Sequence, residues 1–137
     1  MAKALGIDYG KKRVGIAITD SLQIISSPLG TIETNKIFVF LKDLFKKEDI
    51  DCIVVGEPIN LDGLATDSTE ITEEFVAKLY KMYPQILIKR IDERFTSKIA
   101  KQSILEAGIK RIKRKDKALV DKVSAAIILQ SYLANIN

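Results

Sequence analysis

The sequence predicts a mixed α/β sheet with helices on its faces, and three observations support this class. Two strand-like runs at residues 3–9 and 14–20 are separated by a short turn, as in an antiparallel hairpin. Further along, short apolar runs alternate with amphipathic helical patterns, as in units that build a parallel sheet. The second run is apolar or small on both faces, which is typical of a strand covered on both sides. We therefore expect the order β-β-β-α-β-α-β-α-α, with helices on both faces.

The antiparallel part is expected to contain three strands and to lead into the first helix. Residues 9–12 have the composition of a hairpin turn, and Pro28 within a third strand at 24–32 indicates an edge position or a bulge. Thr34 or Asn35 can cap a helix over 36–48. The apolar stripe of that helix comprises Ile37, Phe38, Leu41, Leu44 and Phe45.

The second half alternates strands with helices. A buried strand is expected at 52–55, followed by a loop from Gly56 to Gly63 that either only connects elements or flanks a substrate site at the carboxyl edge of the sheet. A helix begins near Asp67, which forms a capping-box pattern with Glu70, and a strand follows at 86–91. Thr96 or Ser97 is expected to cap a third helix that Gly108 closes. A final helix is expected over 117–134.

Composition limits the chemistry that this chain can carry out. Its 137 residues fit one domain spanning 1–137. Since there is no His and only one Cys, imidazole metal sites, His-based triads, intrachain disulfides and thiolate zinc clusters are excluded. No apolar run reaches the roughly 18 residues of a membrane span, and no secretory signal is apparent. We expect a cytoplasmic protein with no membrane partner.

The positive charge is concentrated in one stretch. The net charge is +4, but residues 89–117 contain 11 basic and 4 acidic residues, so the rest of the chain is net negative. Such a stretch is either a solvated loop or a surface that contacts a phosphate backbone. Its densest part lacks aromatic residues, so base stacking is not expected there. That part contains Lys110, Arg111, Lys113, Arg114, Lys115 and Lys117.

Acidic residues stand at the ends of predicted elements. Asp8 lies at the end of the first strand, Asp92 and Glu93 follow the strand at 86–91, and Asp121 lies in about the first turn of the last helix, on the same face as Ala125. Each one alone could be a turn residue, a helix N-terminal acid or half of a salt bridge. Together they supply the oxygen ligands that Mg²⁺ or Mn²⁺ prefers. Two such ions about 4 Å apart can hydrolyse a phosphodiester bond.

Four segments carry a resemblance to a known family. They are GIDYGKKRVGIA at 6–17, VVGEPINLDG at 54–63, DERFTS at 92–97 and DKVSAAIIL at 121–129. In this order they resemble the YqgF family, also called RuvX, which has an RNase H-like fold. Its members are described as Holliday junction resolvases and as nucleases that mature the 5′ end of pre-16S rRNA.

The resemblance implies roles for individual residues. Asp8, Glu93 and Asp121 would form the catalytic set and hold Mg²⁺ or Mn²⁺, with two ions expected. Glu57 replaces an apolar residue that is usual in its motif, so it could compete with Glu93 as a metal ligand or join it. Thr19 replaces a more usual Ser and keeps the hydroxyl. The residues near the scissile phosphate would be Lys11, Lys12, Arg13, Arg94 and Thr96.

Several functions remain open from the sequence. The first is a nuclease acting on structured nucleic acid, with the 5′ end of pre-16S rRNA as the favoured substrate and a Holliday junction as the alternative. A non-catalytic RNA-binding factor for ribosome assembly is a further alternative. Residues 6–15 also resemble the phosphate-binding hairpin of actin-like ATPases, which need two such domains. We expect a monomer or a homodimer, and Tyr9 either stacks on a base or packs in the core.

Overall fold

The computed structural model describes residues 2–57, 67–92 and 117–136. The strands and helices in this part follow the predicted alternation, and one turn of 3₁₀ helix, Thr34–Lys36, precedes the first α-helix. The elements are β1 (Lys3–Tyr9), β2 (Arg13–Thr19), β3 (Ser26–Glu33), α1 (Ile37–Lys47), β4 (Ile50–Glu57), α2 (Asp67–Met82), β5 (Leu87–Asp92) and α3 (Lys117–Ile136).

The five strands form one mixed sheet in the order β3-β2-β1-β4-β5. β1, β2 and β3 are antiparallel neighbours, whereas β4 and β5 continue the sheet in parallel with β1. The predicted mixed sheet is therefore confirmed. Pro28 lies in edge strand β3, opposite a shift in register between Ile16 and Ala17, as its missing N–H group predicted. The predicted helix that Gly108 closes lies outside the described residues.

The pleat of β1 sends alternate side chains to two different layers. Leu5 and Ile7 join a core with Leu41 of α1 and Phe75 of α2, which we call the α1–α2 face. Ala4 points to the other side, where it packs with residues of α3, and we call this the α3 face. The expectation of helices on both faces is confirmed.

Small residues allow α3 to lie directly against the sheet. A Cβ atom added to Gly6 would lie 2.7 Å from the Cβ of Leu129 and 2.8 Å from the carbonyl oxygen of Ala125. Both distances are shorter than a side chain tolerates, so the helix backbone occupies the space that a larger residue in β1 would need.

The direction of α3 is defined by polar contacts near its carboxyl end. The Tyr132 hydroxyl is hydrogen-bonded to Cys52, which pairs with Ala4 near the start of β1. The side-chain oxygen of Gln130 accepts a hydrogen bond from the backbone N–H of Ser26 at 3.0 Å, at the same end of the sheet. Helix α3 therefore runs antiparallel to β1, and its first turns lie toward the carboxyl end of that strand.

Three local predictions need correction. Strand β4 spans Ile50–Glu57 and not only 52–55, so Gly56 and Glu57 belong to the strand and not to the predicted loop. Strand β5 begins one residue later than expected and includes Asp92. The proposed side-chain cap of the first helix is wrong, because neither the 3₁₀ turn nor α1 has a side-chain hydrogen bond at its N-cap. Among the described helices, none is long and apolar enough to span a membrane.

Candidate active site

Asp8 stands at the carboxyl end of the central strand, on the α3 face. It pairs with Gly15 of β2 and comes two residues after Gly6, so the alternation of the strand places both on the same side of the sheet. Asp8 is partly exposed, in contrast to the fully buried residues that precede it. The fold thus brings this carboxylate to the rim of the sheet and leaves it accessible from solvent.

The position of Asp121 in α3 lies toward the same rim. Asp121 comes one helical turn before Ala125, which contacts the Gly6 position of β1. Four helical residues advance about 6 Å, and two strand residues advance about 7 Å. Because α3 runs antiparallel to β1, both steps go in the same direction from the contact at Gly6. The side chain of Asp121 lies outside the described part of the structure.

The third predicted acid, Glu93, lies outside the described residues, as do Arg94 and Thr96. The residue before Glu93, Asp92, ends β5 and pairs with Glu57. Among the side chains that the structure describes, no group of three or more His, Cys, Asp or Glu residues could hold a metal ion. The predicted trio therefore stays a prediction, of which Asp8 is the member with a described side chain.

Glu57 is on the other side of the sheet from Asp8. Ile53 and Val55 of β4 belong to the core on the α1–α2 face, and Glu57 follows them with the same alternation. Val54, by contrast, shares the α3 face with Gly6, its partner in β1. The pleat therefore does not bring Glu57 onto the face that carries Asp8.

A basic hairpin adjoins Asp8. Lys11 and Lys12 are exposed between β1 and β2, while Arg13 begins β2 and is partly buried. Gly10 allows the tight turn, since a Cβ atom there would lie 2.5 Å from the carbonyl oxygen of Arg13. These cations occupy the same rim of the sheet as Asp8. Lys117 begins α3, and its side chain lies outside the described part, as do Lys110, Arg111, Lys113, Arg114 and Lys115.

Tyr9 is partly buried and packs against the core, as one of the two alternatives for this residue predicts. Its ring stacks on Phe75 of α2 with a centroid distance of 4.2 Å and an angle of 12° between the planes. Burial, followed by the nearby charge of Glu74, raises the pKa of the Tyr9 hydroxyl. One face of the ring is therefore covered by Phe75, which supports the packing role.

Sequence reasoning missed one residue that connects α2 to the carboxyl ends of β4 and β5. Arg90 of β5 forms a 2.6 Å ion pair with Glu73 and also donates hydrogen bonds to the carbonyl oxygens of Val55 and Gly56. These partners are 17 or more residues away in the chain. No local pattern could have identified them, and Arg90 contributed only to the charge count.

The architecture places the chain among proteins with an RNase H-like fold. A solved structure of T. thermophilus RuvC in complex with a Holliday junction substrate is similar, with a TM-score of 0.59 over 100% of this chain and 97% of that one. A second RuvC structure, from Thermus thermophilus, has a TM-score of 0.55 over 98% of this chain and 96% of that one. The sequence identities are only 15% and 10%, so both similarities concern the fold alone.

The sequence identifies the family within this fold. The model of the RuvX family, described as Holliday junction resolvase, matches residues 2–135. A Flavobacterium psychrophilum protein named "Putative pre-16S rRNA nuclease" is 49% identical over 97% of each chain. A Porphyromonas gingivalis protein of the same name is 47% identical over 98% of each. The chain belongs to the RuvX family, which confirms the resemblance found in the four sequence segments.

Proposed function

We propose that this chain is a divalent-metal-dependent nuclease that hydrolyses phosphodiester bonds in structured RNA, with the 5′ end of pre-16S rRNA as its substrate. The observation that carries the proposal is that Asp8 and position 121 of α3 lie at the same rim of the sheet and on the same face of it. Whole-length relatives named for this activity support the choice of substrate.

The chemistry of the acidic residues fits a divalent cation. Carboxylate oxygens are hard ligands, and Asp8 is accessible at the rim. Asp8, Glu93 and Asp121 would hold the metal. When bound, Mg²⁺ or Mn²⁺ would supply the charge that activates a water molecule and stabilises a leaving oxygen. Glu57 is not included, because its alternation in β4 directs it to the α1–α2 face.

The basic hairpin has a separate task in this proposal. Lys11 and Lys12 are exposed beside Asp8 and would bind phosphates on either side of the cleaved bond. Their charges would hold and orient a polyanionic strand without taking part in bond cleavage. This division of labour predicts that the lysines affect substrate affinity, whereas Asp8 affects the rate of the chemical step.

A second candidate is a Holliday junction resolvase acting on branched DNA. The description of the family model and the RuvC complex with that substrate favour it. Both candidates share the metal site and the phosphate contacts, so they differ only in the nucleic acid. A third candidate, an RNA-binding assembly factor without catalysis, would need neither Asp8 nor a metal.

The decisive experiment compares purified wild-type protein with Asp8→Asn on a pre-16S rRNA fragment and on a four-way DNA junction, with and without Mn²⁺. We expect metal-dependent cleavage of the RNA, and a loss of at least about 100-fold in Asp8→Asn, because a bound metal contributes several kcal/mol to catalysis. Asp43→Asn is the matched control, since Asp43 is exposed on α1, where its carboxylate pairs with Lys47 at 3.6 Å.

Each outcome selects one candidate. Cleavage of the junction but not of the RNA would favour the resolvase. Normal RNA binding without cleavage by the wild type under any metal would favour the assembly factor. Cleavage that continued unchanged in Asp8→Asn would contradict the assignment of the metal site.

A further inference from the structure

Thr34 is hydrogen-bonded to the backbone of the basic hairpin at the residues before and after Lys11. Its hydroxyl donates a hydrogen bond to the carbonyl oxygen of Gly10 at 2.7 Å. Its backbone N–H group donates another to the carbonyl oxygen of Lys12 at 3.1 Å. This residue, which directly follows β3, therefore contacts the backbone immediately before and immediately after Lys11.

This use of the hydroxyl is unexpected from the position of Thr34 in the chain. A Thr just before a helix usually accepts a hydrogen bond from the first N–H groups of that helix. Here the 3₁₀ turn and α1 both begin without a side-chain hydrogen bond at the N-cap. The hydroxyl instead donates to a carbonyl 24 residues earlier in the chain. The hydrogen bond that this hydroxyl donates therefore joins the start of the helical segment to the hairpin.

The tip of the hairpin presents its side chains to solvent. Lys11 and Lys12 are exposed at its tip, and Gly10 provides no side chain to pack. A flexible loop that carries binding groups loses conformational freedom when a ligand binds, and this loss weakens the affinity. A contact that orders the loop in advance removes that cost.

We infer that Thr34 is a positioning residue for substrate binding, which fixes the Gly10–Lys12 hairpin so that its two lysines face a nucleic-acid backbone beside Asp8. The inference rests on the proposed function. Thr34 does not touch the substrate, and its effect passes through Lys11 and Lys12. It therefore acts on affinity for the nucleic acid and leaves the chemical step unchanged.

The test uses Thr34→Val, which removes the hydroxyl and keeps the shape, and Thr34→Ser, which restores a donor. Binding to a pre-16S rRNA fragment is measured in EDTA, so that no cleavage occurs. We expect Thr34→Val to weaken binding about 3- to 10-fold, the range of one net hydrogen bond. Thr34→Ser should bind as the wild type does.

Thr19→Val is the matched control at the opposite end of the sheet. The Thr19 hydroxyl accepts a 2.8 Å hydrogen bond from the N–H of Ala4, so the control also loses one hydroxyl contact. We expect Thr19→Val to lower thermal stability and to leave RNA affinity unchanged. Equal losses of affinity in Thr19→Val and Thr34→Val would show that general destabilisation explains both results.

A double-mutant cycle separates positioning from a merely structural role. On the background Lys11→Gln and Lys12→Gln, Thr34→Val should cause no further loss of affinity, because the groups that it positions are gone. The same fold loss on both backgrounds would overturn the inference. Thr34→Ala repeats the cycle with a second truncation in case the valine variant does not fold.

Two further readouts keep this inference distinct from the proposed function. In Thr34→Val, hydrogen exchange should become faster at the amides of Lys11 to Arg13, and unchanged exchange would contradict the positioning role whatever the enzyme does. With Mn²⁺ present, KM should rise and kcat should stay constant. If the wild type cleaves nothing, the proposed nuclease fails, while the binding cycle still decides the role of Thr34.

Discussion

Asp20 shows how a single carboxylate organises a turn. Its oxygens accept hydrogen bonds from the backbone N–H groups of Leu22 and Ile24 at 3.0 Å and of Ile25 at 2.8 Å. Gln23 within this turn has a positive φ of 54°, which a long side chain rarely adopts. The hydrogen bond from Ile25 is the largest cause of the lowered pKa of Asp20. The ionised form is thus the one that holds the turn.

The lowered pKa predicts a dependence of stability on pH. The folded state binds the Asp20 proton less well than the unfolded chain, whose value is near 3.8, so the stabilisation is present above that pH and disappears as the pH falls through the folded pKa. In urea unfolding, the wild type should be more stable than Asp20→Asn at pH 7. That difference should shrink below pH 3.8, whereas a constant difference would contradict the role of the charge.

The alternatives for the second acid also belong to the scale of single residues. Glu57 and Glu93 each follow a predicted strand, and the resemblance implied Glu93 as a ligand, with Glu57 as a residue that could compete with it or join it. The structure bears on Glu57 alone, because the pleat directs it to the α1–α2 face while Asp8 is on the α3 face. Glu93 is accordingly the acid that we propose as a ligand, and its placement stays a prediction.

Among the elements, the contact between α3 and β1 sets the geometry of the rim. The helix passes so close to Gly6 that its Leu129 and Ala125 would collide with any side chain there. This contact fixes how far α3 stands from the sheet, and therefore where its first turns meet the carboxyl end of β1. A change at Gly6 should be felt at Asp121, although the two residues are in different elements.

We predict that Gly6→Ala lowers the free energy of unfolding by about 1–3 kcal/mol, the usual cost of overpacking a core. The displaced helix should also reduce nuclease activity beyond the loss of folded protein. Gly30→Ala is the matched control, because no atom lies within 4 Å of an added Cβ atom in this edge strand. Chemical denaturation of the three proteins checks the prediction, and an unchanged stability of Gly6→Ala would contradict the close packing.

The boundaries of the elements were predicted to within two residues where local signals were strong. Helix α1 was expected at 36–48 and occupies Ile37–Lys47, because its apolar stripe repeats with helical spacing. Strand β4 is longer than its apolar run, since pairing with neighbours on both sides extends it to Glu57. The cap at Thr34 was wrong because the 3₁₀ turn begins at Thr34 itself, so that Glu33 occupies the N-cap position.

For the whole molecule, the distribution of charge predicts how binding responds to salt. The stretch at 89–117 has a net charge of +7 and the remaining chain one of −3. If Lys113, Arg114 and Lys115 contact phosphates, replacing them with Gln should reduce the salt slope of RNA affinity by about 2 to 3, since each contact releases close to one counterion. An unchanged salt slope would favour the interpretation of this stretch as a solvated loop.

A control with the same change in net charge is available on α1. Lys42, Lys46 and Lys47 are exposed, and the last two lie at the end of the helix that leads into the start of β4, away from the rim that carries Asp8. Their replacement with Gln should leave the salt slope of RNA affinity nearly unchanged. Equal effects of the two triple substitutions would mean that overall charge governs binding.

The sequence by itself determined the order of the elements, the mixed sheet and the family. These depend on hydrophobic periodicity and on short motifs, which neighbouring residues carry together. It also identified Asp8 as an acid at a strand end, because that property is local.

Only the tertiary structure decided which face each group occupies and which distant groups meet. The antiparallel course of α3 over Gly6, the separation of Glu57 from Asp8 and the bond from Thr34 to Gly10 all depend on contacts between elements. Such contacts depend on how the elements pack. A local stretch of sequence does not indicate which distant atom will come within hydrogen-bond distance.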